Sequence, residues 1–230
     1  MIHFATKFIK RLARLNAFGI SRGLFICLVP IIPSFSVAQT FPFDLWHEGK
    51  LVMDSGDTIR GAIKYGLNDL LQVRHDSRIE SFAARKVLLF EIFDQSYKRY
   101  RQFYSLPYSA TGGYKSPVFF EVLSEGKITL LSRERVELRN NSYSPYGSPF
   151  YSPYGFGGYG TRKILVDVYF VLKENGNIEE VVDKRSNWLE LMGNRGDEVH
   201  DYAKDNRLDF ARKYDLKRII DYYNSLVDKK

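Results

Sequence analysis

The chain reads as an α+β protein: an antiparallel, strongly curved sheet or partly open barrel over residues 39–184, capped by three C-terminal helices over residues 185–230. Three observations predict this. Apolar and polar residues alternate with period 2 through most of residues 49–182, the signature of half-buried strands. The connections between those runs are mostly short and rich in Gly, Asn, Asp and Ser, as antiparallel hairpins require. From Asp183 onward the apolar spacing changes to that of amphipathic helices.

The chain has 230 residues and a formal charge of +7, but the charge is unevenly distributed. Lys7, Lys10, Arg11, Arg14 and Arg22 precede residue 39, where there is no Asp or Glu. The rest holds 29 of the 34 basic and all 27 acidic side chains, a balance of only +2. A nucleic-acid function, which needs a concentrated basic face in the folded part, is therefore not indicated. Residues 1–38 have the parts of a secretory signal peptide: a basic start, an apolar run over residues 24–35, and Ser36-Val37-Ala38 as a cleavage site. The run is broken by Pro30 and Pro33 and is shorter than the roughly 20 residues of a membrane span. The expectation is an exported protein, periplasmic or associated with the outer membrane, that does not span the membrane once the signal is removed. Cys27, the single cysteine, lies in the apolar run behind Ile26, where a lipidation signal wants a small residue. The folded part thus depends on its core and not on disulfides.

Residues 51–53 and 58–65 flank the turn Asp54-Ser55-Gly56-Asp57 and form a first hairpin, with Ile59, Ile63 and Tyr65 on one face and Arg60 and Lys64 on the other. Residues 70–74 make a weaker strand, and residues 81–86 a turn or single helical turn. Residues 87–93 are nearly all apolar, as in a buried strand. Residues 97–106 alternate again, with Tyr100 and Tyr104 opposed to Arg99 and Arg101, and Pro107 is expected to end the strand. The clearest hairpin covers residues 118–138: Val118, Phe120 and Val122 share one face, Gly126 supplies the turn, and Ile128, Leu130, Val136 and Leu138 alternate with polar residues. One face of it should be core and the other wet.

Residues 140–162 are unusual. Tyr-Ser-Pro-Tyr-Gly occurs at residues 143–147 and again at 151–155, followed by Phe156-Gly157-Gly158-Tyr159-Gly160. Such a composition forms no regular element, and a connection this long is usually functional or disordered. Its aromatics, Tyr143, Tyr146, Phe150, Tyr151, Tyr154, Phe156 and Tyr159, are the candidate binding residues, since aromatic rings with polar tips give contact area at low entropic cost. Residues 163–173 and 178–182 then form two further strands around Glu174-Asn175-Gly176-Asn177. Asn187 with Glu190 three residues on suggests a capped helix ended by Gly193. Asp197 caps a second, and Asp215 opens a third with Leu216, Ile219, Ile220, Tyr223, Leu226 and Val227 on one stripe.

Three stretches are similar to known proteins: Gly56-Asp57-Thr58-Ile59-Arg60-Gly61; Phe119-Phe120-Glu121-Val122-Leu123 with Gly126-Lys127-Ile128-Thr129-Leu130; and the ending Tyr202-Ala203-Lys204-Asp205-Asn206-Arg207-Leu208 with Ile219-Ile220-Asp221-Tyr222-Tyr223-Asn224-Ser225-Leu226. Together they resemble a broad group of exported proteins of unknown function from Bacteroidetes-type bacteria. The resemblance covers most of the chain after the leader, and its ending is the distinctive part. It implies a β-rich domain with a helical cap, in the periplasm or at the outer membrane of a Gram-negative cell, and carries no catalytic residues over. The Tyr-Ser-Pro-Tyr-Gly insertion is not part of it.

Motifs that could carry chemistry have plainer explanations. Asp54-Ser55-Gly56 looks like an aspartic-protease signature but is followed by Asp57 and has no second copy, so a hairpin turn is the better reading. Arg195-Gly196-Asp197 reads as a helix-ending glycine followed by the next helix's cap. His47, His75 and His200 show no metal-binding spacing. No catalytic residue, metal or cofactor is therefore expected. The leading reading is a non-catalytic exported cell-envelope module that binds a protein or glycan partner. The alternatives are an accessory subunit of an outer-membrane protein complex and a hydrolase with an unrecognised carboxylate site.

Overall fold

A computed structural model of the protein describes residues 40–140, 161–182 and 185–228. Its strands form a single antiparallel sheet: β1 His47–Met53, β2 Thr58–Tyr65, β3 Leu70–His75, β4 Arg78–Ala83, β5 Val87–Asp94, β6 Arg99–Tyr108, β7 Ser116–Ser124, β8 Thr129–Asn140, β9 Thr161–Leu172 and β10 Ile178–Val181. The order across the sheet is β10-β9-β8-β7-β6-β5-β1-β2-β3-β4. Two meanders are thus joined where β5 returns beside β1. The helical part consists of α1 Arg185–Met192 and α2 Gly196–Asp205, run together through a 3-10 turn at Gly193–Arg195, and a later helix α3 Lys213–Val227. Among the described residues no helix is long and apolar enough to cross a membrane.

The sheet is open, with β4 and β10 as its edges, so it is not a closed barrel. It is nevertheless tightly curled. From β2 to β8 is five steps across the sheet, about 24 Å if it were flat. Yet the Tyr65 hydroxyl on β2 donates a hydrogen bond to Glu134 on β8 at 2.9 Å. Irregularities in register at Val52/Met53 and between Val122 and Ser124 bend the strands locally. Gly49 and Gly61, directly paired across β1 and β2, mark a close approach of backbones. A Cβ on Gly49 would stand 2.1 Å from the Glu91 carbonyl oxygen and one on Gly61 2.5 Å from that of Arg74, so no larger residue fits without opening the curl.

The pairing registers place alternate residues of most strands on one continuous inner face, which carries two apolar clusters. Leu51, Ile63, Leu71, Phe90, Phe103 and Phe119 fill the curl. Leu123, Leu130, Tyr169 and Val171 meet Trp188, Val199, Leu216 and Ile220 from the helices. On the other side of the sheet, Phe120 and Phe170 stand edge to face at 5.1 Å, and Tyr108 packs edge-on to both. β7 is therefore buried on both faces, and the expected wet face of the 118–138 hairpin is absent near its turn. α3 is locked to that turn by Asn224. Its amide donates to Ser124 Oγ, Glu125 O and Ile128 O, and its carbonyl accepts the Ile128 backbone N–H at 2.9 Å. Gly126, at φ +148, makes room for this: a Cβ there would lie 2.6 Å from Asn224 Cγ.

Several boundaries differ from the sequence reading for local reasons. β4 replaces the expected turn, and only Ala84–Lys86 forms a 3-10 turn. β6 runs through Pro107, which faces Pro117. Past Tyr104 the strand has no partner on its β5 side, so a missing N–H there breaks no ladder bond. The first helix begins at Arg185, and Asn187 lies within it, donating to Val182 O at 3.1 Å instead of capping. Asp197 and Asp215 sit inside the first turns of their helices, where a carboxylate complements the dipole. The expected three-helix cap is thus seen more coarsely as one interrupted helical run, Arg185 to Asp205, and one later helix.

Candidate functional site

The most chemically dense place in the described residues is a charge cluster on the inner face, between the two apolar clusters. Strand alternation turns Arg101 of β6 inward beside Phe103, and its side chain is 1% exposed. Its Nε and Nη2 donate to Glu121 at 3.1 and 2.7 Å, Nη1 to Asp94 and the Tyr65 hydroxyl at 3.1 and 3.0 Å, and Nη2 also to Glu134 at 2.6 Å. Lys213, from the first turn of α3, lies 2.7 Å from Glu121 and 2.6 Å from Asp167, which also accepts from Ser132 Oγ. Two cations thus meet four carboxylates supplied by β5, β7, β8 and β9.

The electrostatics follow from burial opposed by pairing. Burial by itself would raise the Glu121 carboxyl, but the Lys213 ammonium and the Arg101 guanidinium override it and hold Glu121 below the ordinary carboxylate range. Burial by itself would lower Lys213, yet Glu121 keeps it above its ordinary value. The Tyr65 hydroxyl is raised, first by burial and then by Glu134 against the opposing pull of Arg101, so it stays a neutral donor. A cavity of about 30 Å³, room for about one water, adjoins Tyr65, Glu121, Ser132 and Glu134. Each carboxylate is committed to a cation, which suits a strut joining sheet to helix more than a proton relay. Among the described residues no group of three or more His, Cys, Asp or Glu could hold a metal ion.

The second feature is an arm. β7 pairs with β8 only as far as Ser132, and β10 pairs with β9 only from Tyr169 onward. The β8–β9 ladder continues for eight more pairs, from Arg133↔Val168 to Asn140↔Thr161, as a ribbon of two strands about 26 Å long. Its root is fastened by Arg133, which donates to both oxygens of Asp69, while Asp69 also accepts the Phe119 N–H at 2.8 Å. Toward the far end, Arg139 stands directly opposite Arg162, and Lys163 opposite Leu138.

The candidate binding residues Tyr143, Tyr146, Phe150, Tyr151, Tyr154, Phe156 and Tyr159 lie outside the described residues, in the segment that joins the two strands of this arm. Asp54-Ser55-Gly56 is a hairpin turn with Gly56 at φ +93 and Ser55 donating to Asp57. In Arg195-Gly196-Asp197, Gly193 ends the first helix at φ +57 while Gly196 starts the next, and Arg195 pairs with Glu198. This corrects the expected role of Gly196. His47 is buried against the Pro42 carbonyl oxygen, and His75 is exposed beside Asp76. The Arg101 cluster was not recognised in the sequence. Its one signal was Glu121, an isolated carboxylate in an apolar strand. Compared with known protein families, curated proteins and solved structures, the chain matches none of them.

Proposed function

We propose that the protein is a non-catalytic exported module of the cell envelope that binds a protein or glycan partner, with the aromatic segment between β8 and β9 as the contact surface. The observation that supports this reading is the arm: eight residue pairs of β8 and β9 that continue past the neighbouring strands, up to the two ends that the aromatic segment joins in sequence. A ribbon of two strands is marginal by itself, so its length is better explained by presentation than by stability. The internally paired charge cluster is consistent with a scaffold role. The open edge of β4, with Ile79 exposed beside Arg78 and Glu80, favours a second reading in which an outer-membrane complex takes this protein as an accessory subunit by strand addition.

The test is an affinity capture from native envelopes using the full chain and a variant in which residues 141–160 are replaced by a short Gly-Ser turn. A stoichiometric partner lost with the replacement supports the module. A partner retained equally by both forms moves the interface to the sheet edge, and no partner with either form refutes both readings.

A further inference from the structure

We propose that the outer half of the β8–β9 arm binds an anionic lipid surface, its cations meeting lipid phosphates while Leu138 enters the interface. The inference concerns the strands of the arm and goes beyond the partner reading above. It starts from an arrangement that costs stability. Arg139 and Arg162 are a directly opposed cross-strand pair, and like charges in that position repel. Lys163 follows on the opposite face, so three exposed cations crowd the last pairs of the ribbon. Among the described residues none of the three has an acidic partner, since nearby Glu137 is taken by Arg135 at 2.7 Å.

The crowding is not a sample of a generally basic surface, because the chain after the leader carries 29 basic against 27 acidic side chains. A local anion would relieve the repulsion, and apolar groups indicate which kind. Leu138, 66% exposed, stands opposite Lys163 on one face of the ribbon, and the Arg139–Arg162 pair follows on the other. Val136, Ile164 and Val166 are half-buried along the same ribbon. A soluble polyanion gains nothing from an exposed leucine, whereas a bilayer interface takes cations at the phosphates and an aliphatic group just beneath. Depth is limited by the backbone. The outer edges of the ribbon carry N–H and C=O groups with no neighbouring strand, so the arm can enter the headgroup layer but not the hydrocarbon.

The experiment is flotation of the full chain with vesicles of phosphatidylcholine alone or mixed with phosphatidylglycerol, at low and high salt. The arm variant is Arg139→Ser with Arg162→Ser and Lys163→Ser. The control is Arg78→Ser with Arg85→Ser and Lys86→Ser, which removes equal charge from exposed positions elsewhere. The basic leader is common to every form, so only differences between variants report on the arm. Fluorescence of the buried Trp188 confirms that each folds. Expected are loss of binding to phosphatidylglycerol vesicles by about tenfold in the arm variant, clearly more than in the control, and a several-fold loss for Leu138→Ser. Equal losses in the two triple variants would overturn the proposal. So would dextran sulfate binding that depends on the arm cations while vesicle binding does not, which would point to a soluble polyanion. A form with residues 141–160 replaced that still floats, but captures no partner, would separate this inference from the proposed function.

Discussion

Replacing Arg101 by Met tests whether the charge cluster is the strut described. The substitution keeps an unbranched apolar stem among Phe103 and its neighbours and removes a guanidinium that makes ion pairs to Asp94, Glu121 and Glu134 and a hydrogen bond to Tyr65. Only Lys213 then remains to offset the carboxylates. Removing one partner from a buried ion pair costs about 3–5 kcal/mol, because the partner is left charged and desolvated. Three carboxylates lose a cation here, while Lys213 still serves Glu121, so about 4 kcal/mol is a reasonable centre. That is a large part of the 5–15 kcal/mol that typically separates folded from unfolded. Urea unfolding followed by the fluorescence of Trp188, which is fully buried between helix and sheet, reads the loss directly. With a slope of about 2.5 kcal/mol per molar urea, the midpoint should fall by about 1.6 M. Arg139→Met, at an exposed position of the arm, is the comparison and should move it by less than about 0.2 M. A shift as small as that for Arg101→Met would mean that the carboxylates are hydrated in solution, and the strut argument would fail.

Two further outcomes follow from the same geometry. Asn224→Ala removes the partner of the buried Ile128 N–H and the three hydrogen bonds that the Asn224 amide donates at the β7–β8 turn, and should cost about 2–3 kcal/mol. Hydrogen exchange at Ile128 should speed up accordingly, and Gly126→Ala should be less harmful in that background than alone, since the Cβ then meets no Asn side chain. The pH dependence follows from Glu121, whose folded value lies below the ordinary 4.5. A depressed carboxylate contributes stability that is fully present above the unfolded value and is lost as pH falls through the folded one. Urea midpoints should therefore hold from pH 7 to about 5.5 and fall increasingly below about pH 4.5, and Glu121→Gln should lower the plateau and flatten that acid limb. An acid limb of unchanged steepness in Glu121→Gln would show that other carboxylates carry it.

The hairpin turns at Gly56, Gly126 and Gly176 and the period-2 runs between them made most strands legible. The change of spacing near Asp183 did the same for the helices, and Leu216, Ile219, Ile220 and Tyr223 are indeed the buried stripe of α3. β4 was missed because its residues are mostly exposed and mixed, as an edge strand needs to be. In β6 the alternation identified two faces without saying which is inside: Tyr100 is 69% exposed, and Arg101 is buried. The candidate site was legible only as composition, in a segment outside the described residues, while the arm beneath it depends on where the neighbouring strands stop pairing.

By itself the sequence determined most of the strands, the helices and the main turns, because those preferences act over a few residues. Which face of a strand becomes core was decided by the tertiary structure. So were the inward turn of Arg101 toward carboxylates from three other strands, the close approach at Gly49 and Gly61, and the projection of β8 and β9 beyond their neighbours. Period 2 fixes that two faces exist, and only the register of strands distant in sequence, with the desolvation it imposes, makes one of them the inside.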